Sequence, residues 1–195
     1  DGSNWHALGT GTDDFVWALA VKPNGDVVAG GAFLAAGGNQ AFYVAVWNGT
    51  AWQGLAPGPG FWVRAVVALA NGNIAALPTS SGPMVWNGTT WTALTTSTLG
   101  SCDELIGAPN GDLILGGQFV RINNVPFGSI ARWNGTAWSG LGVGLNALVD
   151  ALTFLPNGDL IAGGLFQPAG GQLASRVARW DGAAWSPLGA GLNDR

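Results

Sequence analysis

The chain contains few side chains of the kinds that enzymes use as acids, bases, nucleophiles or metal ligands. Its 195 residues include one histidine (His6), one tyrosine (Tyr43), one cysteine (Cys102) and one glutamate (Glu104). General acid–base catalysis and transition-metal binding both need several such groups to converge on one point. We therefore expect no catalytic residues, no metal site and no cofactor, and we expect that the protein is not an enzyme.

Three aspartates share one position in the sequence pattern. Asp26, Asp112 and Asp159 each follow an Asn-Gly pair, where a polar side chain can bond to the backbone of a turn. Calcium would need several further oxygen ligands, and the sequence shows no EF-hand and no dense Asp/Gly ligand run. We interpret these aspartates as turn residues.

Four internal repeats, when aligned, leave one column of varied residues. Trp17, Arg64, Asp103 and Asp150 occupy this column, and the nearby columns of Val16 and Leu19 are apolar. Glu104 adds acidity next to Asp103. We predict that the column faces a channel or an upper surface, where it forms a polar rim that binds a ligand. The simpler interpretation is that these side chains are solvated residues near the start of a strand.

The eleven tryptophans suggest sugar binding, because an indole face packs well against a pyranose ring. Most of them, however, belong to a repeated six-residue motif. Trp17 and Trp62 lie outside this motif, so they are the better stacking candidates. The motif tryptophans are Trp5, Trp47, Trp52, Trp86, Trp91, Trp133, Trp138, Trp180 and Trp185.

Internal repeats must position these residues. The motif Trp-Asn-Gly-Thr-Ala-Trp begins at Trp47 and returns, with changes, at Trp86, Trp133 and Trp180, and a truncated copy ends at Trp5. Successive first tryptophans lie 39, 47 and 47 residues apart. A period of this length indicates stacked supersecondary units.

Each repeat reads as four strands. In the fourth repeat, segments 148–155 and 160–162 flank one turn, and segments 176–180 and 185–188 flank a second. Asn-Gly at the first turn, and Asp-Gly at the second, supply the positive φ values of tight two-residue hairpins. In the first repeat, a turn with Asn48 and Gly49 at its centre would pair Trp47 with Thr50 and place Ala45 opposite Trp52. Trp47 and Trp52 would then be diagonal neighbours on one face of the sheet.

The predicted fold is all-β, a β-propeller of four-stranded antiparallel blades with four repeats plus one extra strand. We expect a single propeller domain or a propeller segment, with repeats at about 1–47, 48–86, 87–133 and 134–180 and a partial fifth at 181–195. The extra strand, from Asp1 to Leu8, duplicates the strand of Trp185. Because open blade edges invite another chain, we expect either self-association through them or a longer array of which this chain is a piece.

An apolar segment that ends in Gly-Gly and precedes spaced aromatic residues resembles the kelch repeat. The tryptophan pair of each motif stands where kelch repeats have an aromatic pair, although it is spaced five rather than six and begins with Trp rather than Tyr. Repeat two reads Ala76-Leu77 where the double glycine belongs. The chain is also similar to tachylectin-2-type propeller lectins and to tandem repeats of secreted bacterial surface proteins. The double glycines are Gly30-Gly31, Gly116-Gly117 and Gly163-Gly164.

Composition argues against several kinds of partner. Hydrophobic residues make up 48% and charged residues 9% of the chain, which favours a packed protein over a disordered one. The net charge is −4 and no basic run occurs, so we expect no nucleic acid partner. No apolar stretch approaches the roughly 20 residues of a membrane helix, so we expect no membrane insertion.

These observations favour a non-catalytic extracellular β-propeller that acts as a binding or structural scaffold module. The expected partners are a protein or glycan ligand and further copies of the chain. A carbohydrate-binding lectin is the alternative, and a hydrolase built around Asp103, Glu104 and Asp150 is a third hypothesis. The first residue is not methionine, so we expect either a removed signal peptide or a start inside a longer protein. The expected location is extracellular or on the cell surface.

Overall fold

The computed structural model describes residues 2–192, and at residues 98 and 99 it describes the backbone alone. The described residues form strands and turns and contain no helix, so the all-β prediction is confirmed. The strands make four main sheets, which we call blades 1 to 4 in chain order. The chain divides into two compact units, of which the first ends at Leu94 and the second begins at Thr95. Each unit holds two blades and is described by itself.

The first unit contains blades 1 and 2. Its strands are β1 (Val16–Val21), β2 (Val27–Gly31), β3 (Ala35–Ala36), β4 (Asn39–Gln40), β5 (Val44–Trp47), β6 (Trp52–Gly54), β7 (Val63–Ala68), β8 (Ile74–Pro78), β9 (Met84–Trp86) and β10 (Trp91–Ala93). Blade 1 has the antiparallel order β1-β2-β5-β6, and β3 and β4 form a small hairpin between its second and third strands. Blade 2 runs from β7 to β10 without this hairpin, as the shorter second repeat predicts.

The second unit contains blades 3 and 4. Its strands are β11 (Thr98–Gly107), β12 (Leu113–Ile122), β13 (Val125–Pro126), β14 (Ile130–Trp133), β15 (Trp138–Gly140), β16 (Val149–Phe154), β17 (Leu160–Gly164), β18 (Pro168–Ala169), β19 (Gln172–Leu173), β20 (Val177–Trp180) and β21 (Trp185–Pro187). Blade 3 has the order β11-β12-β14-β15, with β13 paired to β12, and blade 4 has the order β16-β17-β20-β21. In blade 3 the inserted residues extend β12 and form β13, and the end of β12 pairs with a longer β11, whereas in blade 4 they form the β18-β19 hairpin.

The hairpin between the first two strands of each blade has a three-residue loop. In blade 1, Lys22 donates its N–H to the carbonyl oxygen of Asp26 at 2.8 Å, and Gly25 donates to the carbonyl oxygen of Lys22 at 2.9 Å. Only Gly25 has a positive φ, of 90°, and Asn24 does not. This is a type I turn followed by a left-handed glycine. The predicted two-residue turn with two positive φ values is therefore wrong, because proline and asparagine take the centre of the turn.

The register of the tryptophan hairpin also differs from the prediction. Trp47 lies directly opposite Trp52, and Ala45 lies opposite Gly54, so the predicted pairing of Trp47 with Thr50 is wrong. The loop has four residues because Oδ1 of Asn48 accepts the N–H groups of residues 50 and 51 at 3.0 and 2.9 Å. The facing indoles of the four hairpins have ring centroids 5.4 to 5.6 Å apart.

The double glycines hold one register position in blades 1, 3 and 4. Gly30 pairs with Ala18 and Gly31 pairs with Val16 in blade 1. In blade 2 the equivalent residues are Leu77 and Pro78, which pair with Ala65 and Val63. The sequence alignment that put Ala76-Leu77 in place of the double glycine is therefore wrong by one residue. The ungapped alignment from Asn71-Gly72 gives the register that the structure shows, because Asn24 and Gly30 are separated by the same interval as Asn71 and Leu77.

Within each unit the two blades pack face to face. We call the face of a blade that packs on the next blade along the chain its trailing face, and we call the opposite face its leading face. Val28 and Val44 on the trailing face of blade 1 pack with Val66 and Ile74 on the leading face of blade 2. The second unit repeats this contact between Ile114, Ile130 and Ile106 of blade 3 and Leu152, Leu160 and Phe154 of blade 4. These apolar interfaces form the core of each unit.

The predicted extra strand does not form. Residues 2–8 contain no strand, Trp5 is fully exposed, and Asp1 lies outside the described residues. Trp5 holds the position of Trp52 in the repeated motif. Leu8 nevertheless contributes its carbonyl oxygen, which accepts the indole N–H of Trp52 at 2.8 Å. Of the partial fifth repeat, residues 189–192 form no strand and residues 193–195 lie outside the described residues.

Candidate functional site

The varied column predicted from the sequence coincides with a β-bulge in the first strand of every blade. The pairing skips one residue in each strand, between Val16 and Ala18 in blade 1, for example. A bulge residue is left out of the ladder, so its side chain can be aimed differently from those of its neighbours. The bulge residues are Trp17, Arg64, Asp103 and Asp150.

The second glycine of each double glycine makes room for the bulge. A Cβ at Gly31 would lie 2.0 Å from the carbonyl oxygen of Phe15, and a Cβ at Gly164 would lie 2.1 Å from that of Leu148. The same carbonyl oxygens accept N–H groups from residues 32 and 165, each at 2.9 Å. A side chain at these positions would push the bulged strand away. Blade 2 forms the same bulge with Pro78 at this register position, so the glycine allows the close approach in blades 1, 3 and 4 but is not what creates the bulge.

Trp17 and Trp62, which the sequence leaves outside the repeated motif, are in contact. Their ring centroids lie 5.7 Å apart with an interplanar angle of 79°, which is an edge-to-face arrangement. Trp17 follows Val16 on β1 and Trp62 precedes Val63 on β7, and these two strands pack against each other. Both indoles remain accessible, with 44% of Trp17 and 53% of Trp62 exposed.

Two further aromatic residues extend this exposed region, and the sequence analysis did not identify them. Phe15 is 71% exposed and directly precedes β1. Phe61 is 54% exposed and directly precedes Trp62. Phe15 aligns with Trp62, because Val16 and Val63 occupy the same position of their repeats. An aromatic residue before this valine in both repeats could therefore have identified Phe15 from the sequence. We call Phe15, Trp17, Phe61 and Trp62 the aromatic patch. Apolar side chains that are exposed together mark interaction sites more often than single exposed ones do.

Arg64 holds the bulge position of blade 2 and is exposed. It lies two residues after Trp62, so the first unit combines the aromatic patch with one positive charge. The planar guanidinium group of arginine can bind carboxylates and can stack on aromatic rings.

The acidic candidates lie in the second unit. Asp103 and Asp150 occupy the bulges of blades 3 and 4, and the strands that carry them pack against each other. Oδ2 of Asp103 accepts the hydroxyl of Ser101 at 2.7 Å. Glu104 is not a bulge residue, because it pairs with Gly116 in the ladder. No three His, Cys, Asp or Glu side chains among residues 2–192 lie close enough together to hold a metal ion.

A cavity of about 300 Å³ lies between blades 3 and 4. Its lining is mainly apolar and includes Phe154 and Trp180. Asp112, in one of the predicted turns, accepts a hydrogen bond from Arg132 at the cavity wall. The cavity thus offers a small apolar space beside an ion pair whose charges are already compensated.

In the part of the chain that the structure describes, no helix is long and apolar enough to cross a membrane.

Comparisons with known proteins identify the fold but no family. No protein-family model and no curated protein matches the sequence. The similar solved structures include YCF48 from Cyanidioschyzon merolae, with a TM-score of 0.60, 13% identity and coverage of 98% of this chain and 61% of that chain. Catalytically inactive virginiamycin B lyase from Staphylococcus aureus with quinupristin has a TM-score of 0.60 and 12% identity, with coverage of 93% of this chain and 58% of that chain. YCF48 bound to D1 peptide has a TM-score of 0.51 and 18% identity, with coverage of 88% of this chain and 52% of that chain.

These structures and the four antiparallel blades confirm the predicted β-propeller class. The chain spans about half to three-fifths of the length of the structures it matches. At 12 to 18% identity the similarity concerns the fold alone. The chain is therefore similar in fold to propeller proteins that differ in activity.

Proposed function

We propose that this chain is a non-catalytic, kelch-like propeller module that binds a protein or peptide ligand on the aromatic patch. The observation that carries the proposal is the exposed edge-to-face contact of Trp17 and Trp62. Tryptophan and arginine are the residue types most enriched where binding energy concentrates in protein interfaces. Here two exposed indoles are in contact, and the exposed Arg64 follows Trp62 two residues later in the sequence.

The position of the patch supports a binding role rather than a packing role. The paired motif tryptophans pack against each other in the blades. Trp52, Trp91 and Trp185 also donate their indole N–H groups to backbone carbonyl oxygens, as Trp52 does to Leu8. Trp17 instead stands on a bulge, where ladder pairing does not require an aromatic residue. The YCF48 structure with D1 peptide is an example of a protein of similar fold that binds a peptide.

A selection experiment tests this proposal. The purified chain is used to select from a phage-displayed library of random peptides, and the selected peptides are measured against a Trp17→Ala/Trp62→Ala variant. Loss of an interface tryptophan costs about 2 kcal/mol or more, so binding is expected to weaken by roughly 30-fold or more. Trp5→Ala is the matched control, since Trp5 is fully exposed. An empty selection, or equal binding to the double variant and the control, contradicts the proposal.

A lectin is the second candidate, because the faces of exposed indoles can stack on sugar rings. A glycan array separates the two functions. Specific binding of a saccharide that disappears in Trp62→Ala would favour the lectin. Binding to selected peptides without any saccharide signal would favour the protein-binding module.

We further propose that the chain self-associates and that it acts outside the cell or at the cell surface. Support for self-association comes from apolar side chains on β1 that no part of the first unit covers, chiefly Leu19 and Val21. Support for the location comes from the resemblance to repeats of secreted surface proteins. Fractionation of cells that express the protein, followed by immunoblotting of medium, surface and cytoplasm, tests the location.

A further inference from the structure

The blade contacts inside both units use the same small device. A Cβ on Gly30 of blade 1 would lie 2.7 Å from the Cγ1 atoms of both Val63 and Val66 in blade 2. In the second unit, a Cβ on Gly116 would lie 2.8 Å from Cγ1 of Val149 and 3.1 Å from Cδ1 of Leu152. Two apolar side chains on a leading face therefore press against a bare glycine on the trailing face before it. We call this arrangement the glycine socket.

The leading face of blade 1 carries the two side chains of this device without a socket to receive them. Val16 and Leu19 hold the register positions of Val63 and Val66. Leu19 is 65% exposed, whereas Val66 is 7% exposed and Val63 is completely buried.

The trailing face of blade 4 carries the socket without side chains to fill it. Gly163 holds the register position of Gly30 and Gly116. The atom nearest to a Cβ built on Gly163 is the carbonyl oxygen of Arg176, at 4.0 Å. The φ angle of Gly163 lies outside the left-handed region. Neither space nor backbone conformation in the chain thus requires glycine there. Glycine within a strand is less stable than alanine because the unfolded chain loses more conformational freedom, so nothing in a single copy accounts for glycine at this position.

We propose that two copies of this chain associate head to tail, with Val16 and Leu19 of one copy seated on Gly163 of the other. The inference rests on the proposed self-association and specifies its contact. The contact repeats the blade-to-blade interface that each of the two units contains once. The contact is heterologous, since the two copies use different faces.

The charges on the trailing face of blade 4 are compatible with this contact. Arg179 and Asp159 form an ion pair there, with Nε and Oδ2 2.7 Å apart. Blade 3 carries the equivalent pair, Arg132 and Asp112, and its trailing face does pack on a following blade. In blade 3 this ion pair thus lies on a face that another blade covers. Leu165, which is exposed beside Gly163, adds apolar area.

The contact is a packing of faces rather than a pairing of edge strands. The sequence predicted self-association through open blade edges, but β1, one edge strand of blade 1, is interrupted by its bulge. Bulges are one of the devices that prevent edge-to-edge pairing. Burial of exposed leucine and valine supplies a larger driving force than the few backbone bonds of a bulged edge.

Sedimentation equilibrium over a wide range of concentrations tests the proposal. The wild-type mass is expected to rise above the 19.8 kDa of one chain. Gly163→Val and Leu19→Asp should each weaken association at least about tenfold, which corresponds to about 1.4 kcal/mol. Val125→Asp is the matched control, because Val125 is an exposed residue on neither face. Gly163→Val should fold normally, since the position is open in a single copy.

Mixing the two variants gives the sharpest result. The Leu19→Asp chain keeps its socket, and the Gly163→Val chain keeps its two side chains, so an equimolar mixture should form a one-to-one dimer. A wild-type chain that stays at 19.8 kDa, variants that associate as well as the control, or a mixture that stays monomeric each overturns the proposal. Gly163→Val leaves the aromatic patch intact, so peptide binding by this variant reports on the proposed binding function alone.

Discussion

Replacing Gly164 with alanine should destabilise the protein, because this glycine lies against the backbone of a bulge. The new Cβ would lie 2.1 Å from the carbonyl oxygen of Leu148, which is roughly 1 Å inside an ordinary carbon–oxygen contact. That oxygen accepts the N–H of Leu165 at 2.9 Å, so moving it also weakens a hydrogen bond. Crowding costs about 1–3 kcal/mol and the hydrogen bond about 1 kcal/mol, for a total of about 2–4 kcal/mol.

Thermal unfolding followed by circular dichroism measures this loss. For a chain of this size, 1 kcal/mol corresponds to about 2–4 °C in Tm, so the expected fall is about 4–16 °C. Gly140→Ala is the control, because the nearest atoms to its Cβ lie 3.5 and 3.8 Å away. That variant should keep or slightly raise Tm through the lower entropy of the unfolded chain. If the two variants melt within about 2 °C of each other, close approach of the bulge is not the reason for glycine at residue 164.

Three further substitutions test the tryptophan hairpins. Asn134→Ala should lower the free energy of unfolding by about 1 kcal/mol, measured with urea, because the Asn134 side chain accepts two backbone N–H groups of its loop. Hydrogen bonds from the N–H groups of Ala184 and Ala183 lower the pKa of Asp181, so the stability that this carboxylate adds is present above its ordinary pKa and is lost as the pH falls through the lowered value. Asp181→Asn should remove this dependence from a plot of Tm against pH, and an unchanged plot would contradict the assignment. Trp185→Phe should cost about 1–3 kcal/mol by urea unfolding, since the buried indole N–H donates to a carbonyl oxygen at 2.8 Å.

The period of the sequence predicts most of the fold. The spacing of Trp47, Trp86, Trp133 and Trp180 identifies four four-stranded blades, because each unit must bury a face against its neighbour. Hairpin register is harder to predict. The motif at residues 47–52 fits both a two-residue and a four-residue loop, and the choice depends on where the Asn48 side chain finds its hydrogen bonds.

The candidate site is predictable in part. Comparison of the repeats identifies Trp17 and Trp62 as unusual, and the structure brings them into contact. The bulge itself leaves no local signal, because it forms both where Gly31 lies against the carbonyl oxygen of Phe15 and where Pro78 holds the same register position. The exposure of Phe61 likewise depends on which strands pack together.

The four bulges separate the residues that build a blade from those that can vary. A substitution at residue 17, 64, 103 or 150 changes a side chain that the strand ladder does not use, so it can alter recognition at little cost in folding. Duplication of such a repeat copies a scaffold together with one freely mutable position. Libraries randomised at these four positions should therefore yield folded proteins with new specificities more often than libraries randomised elsewhere in the strands.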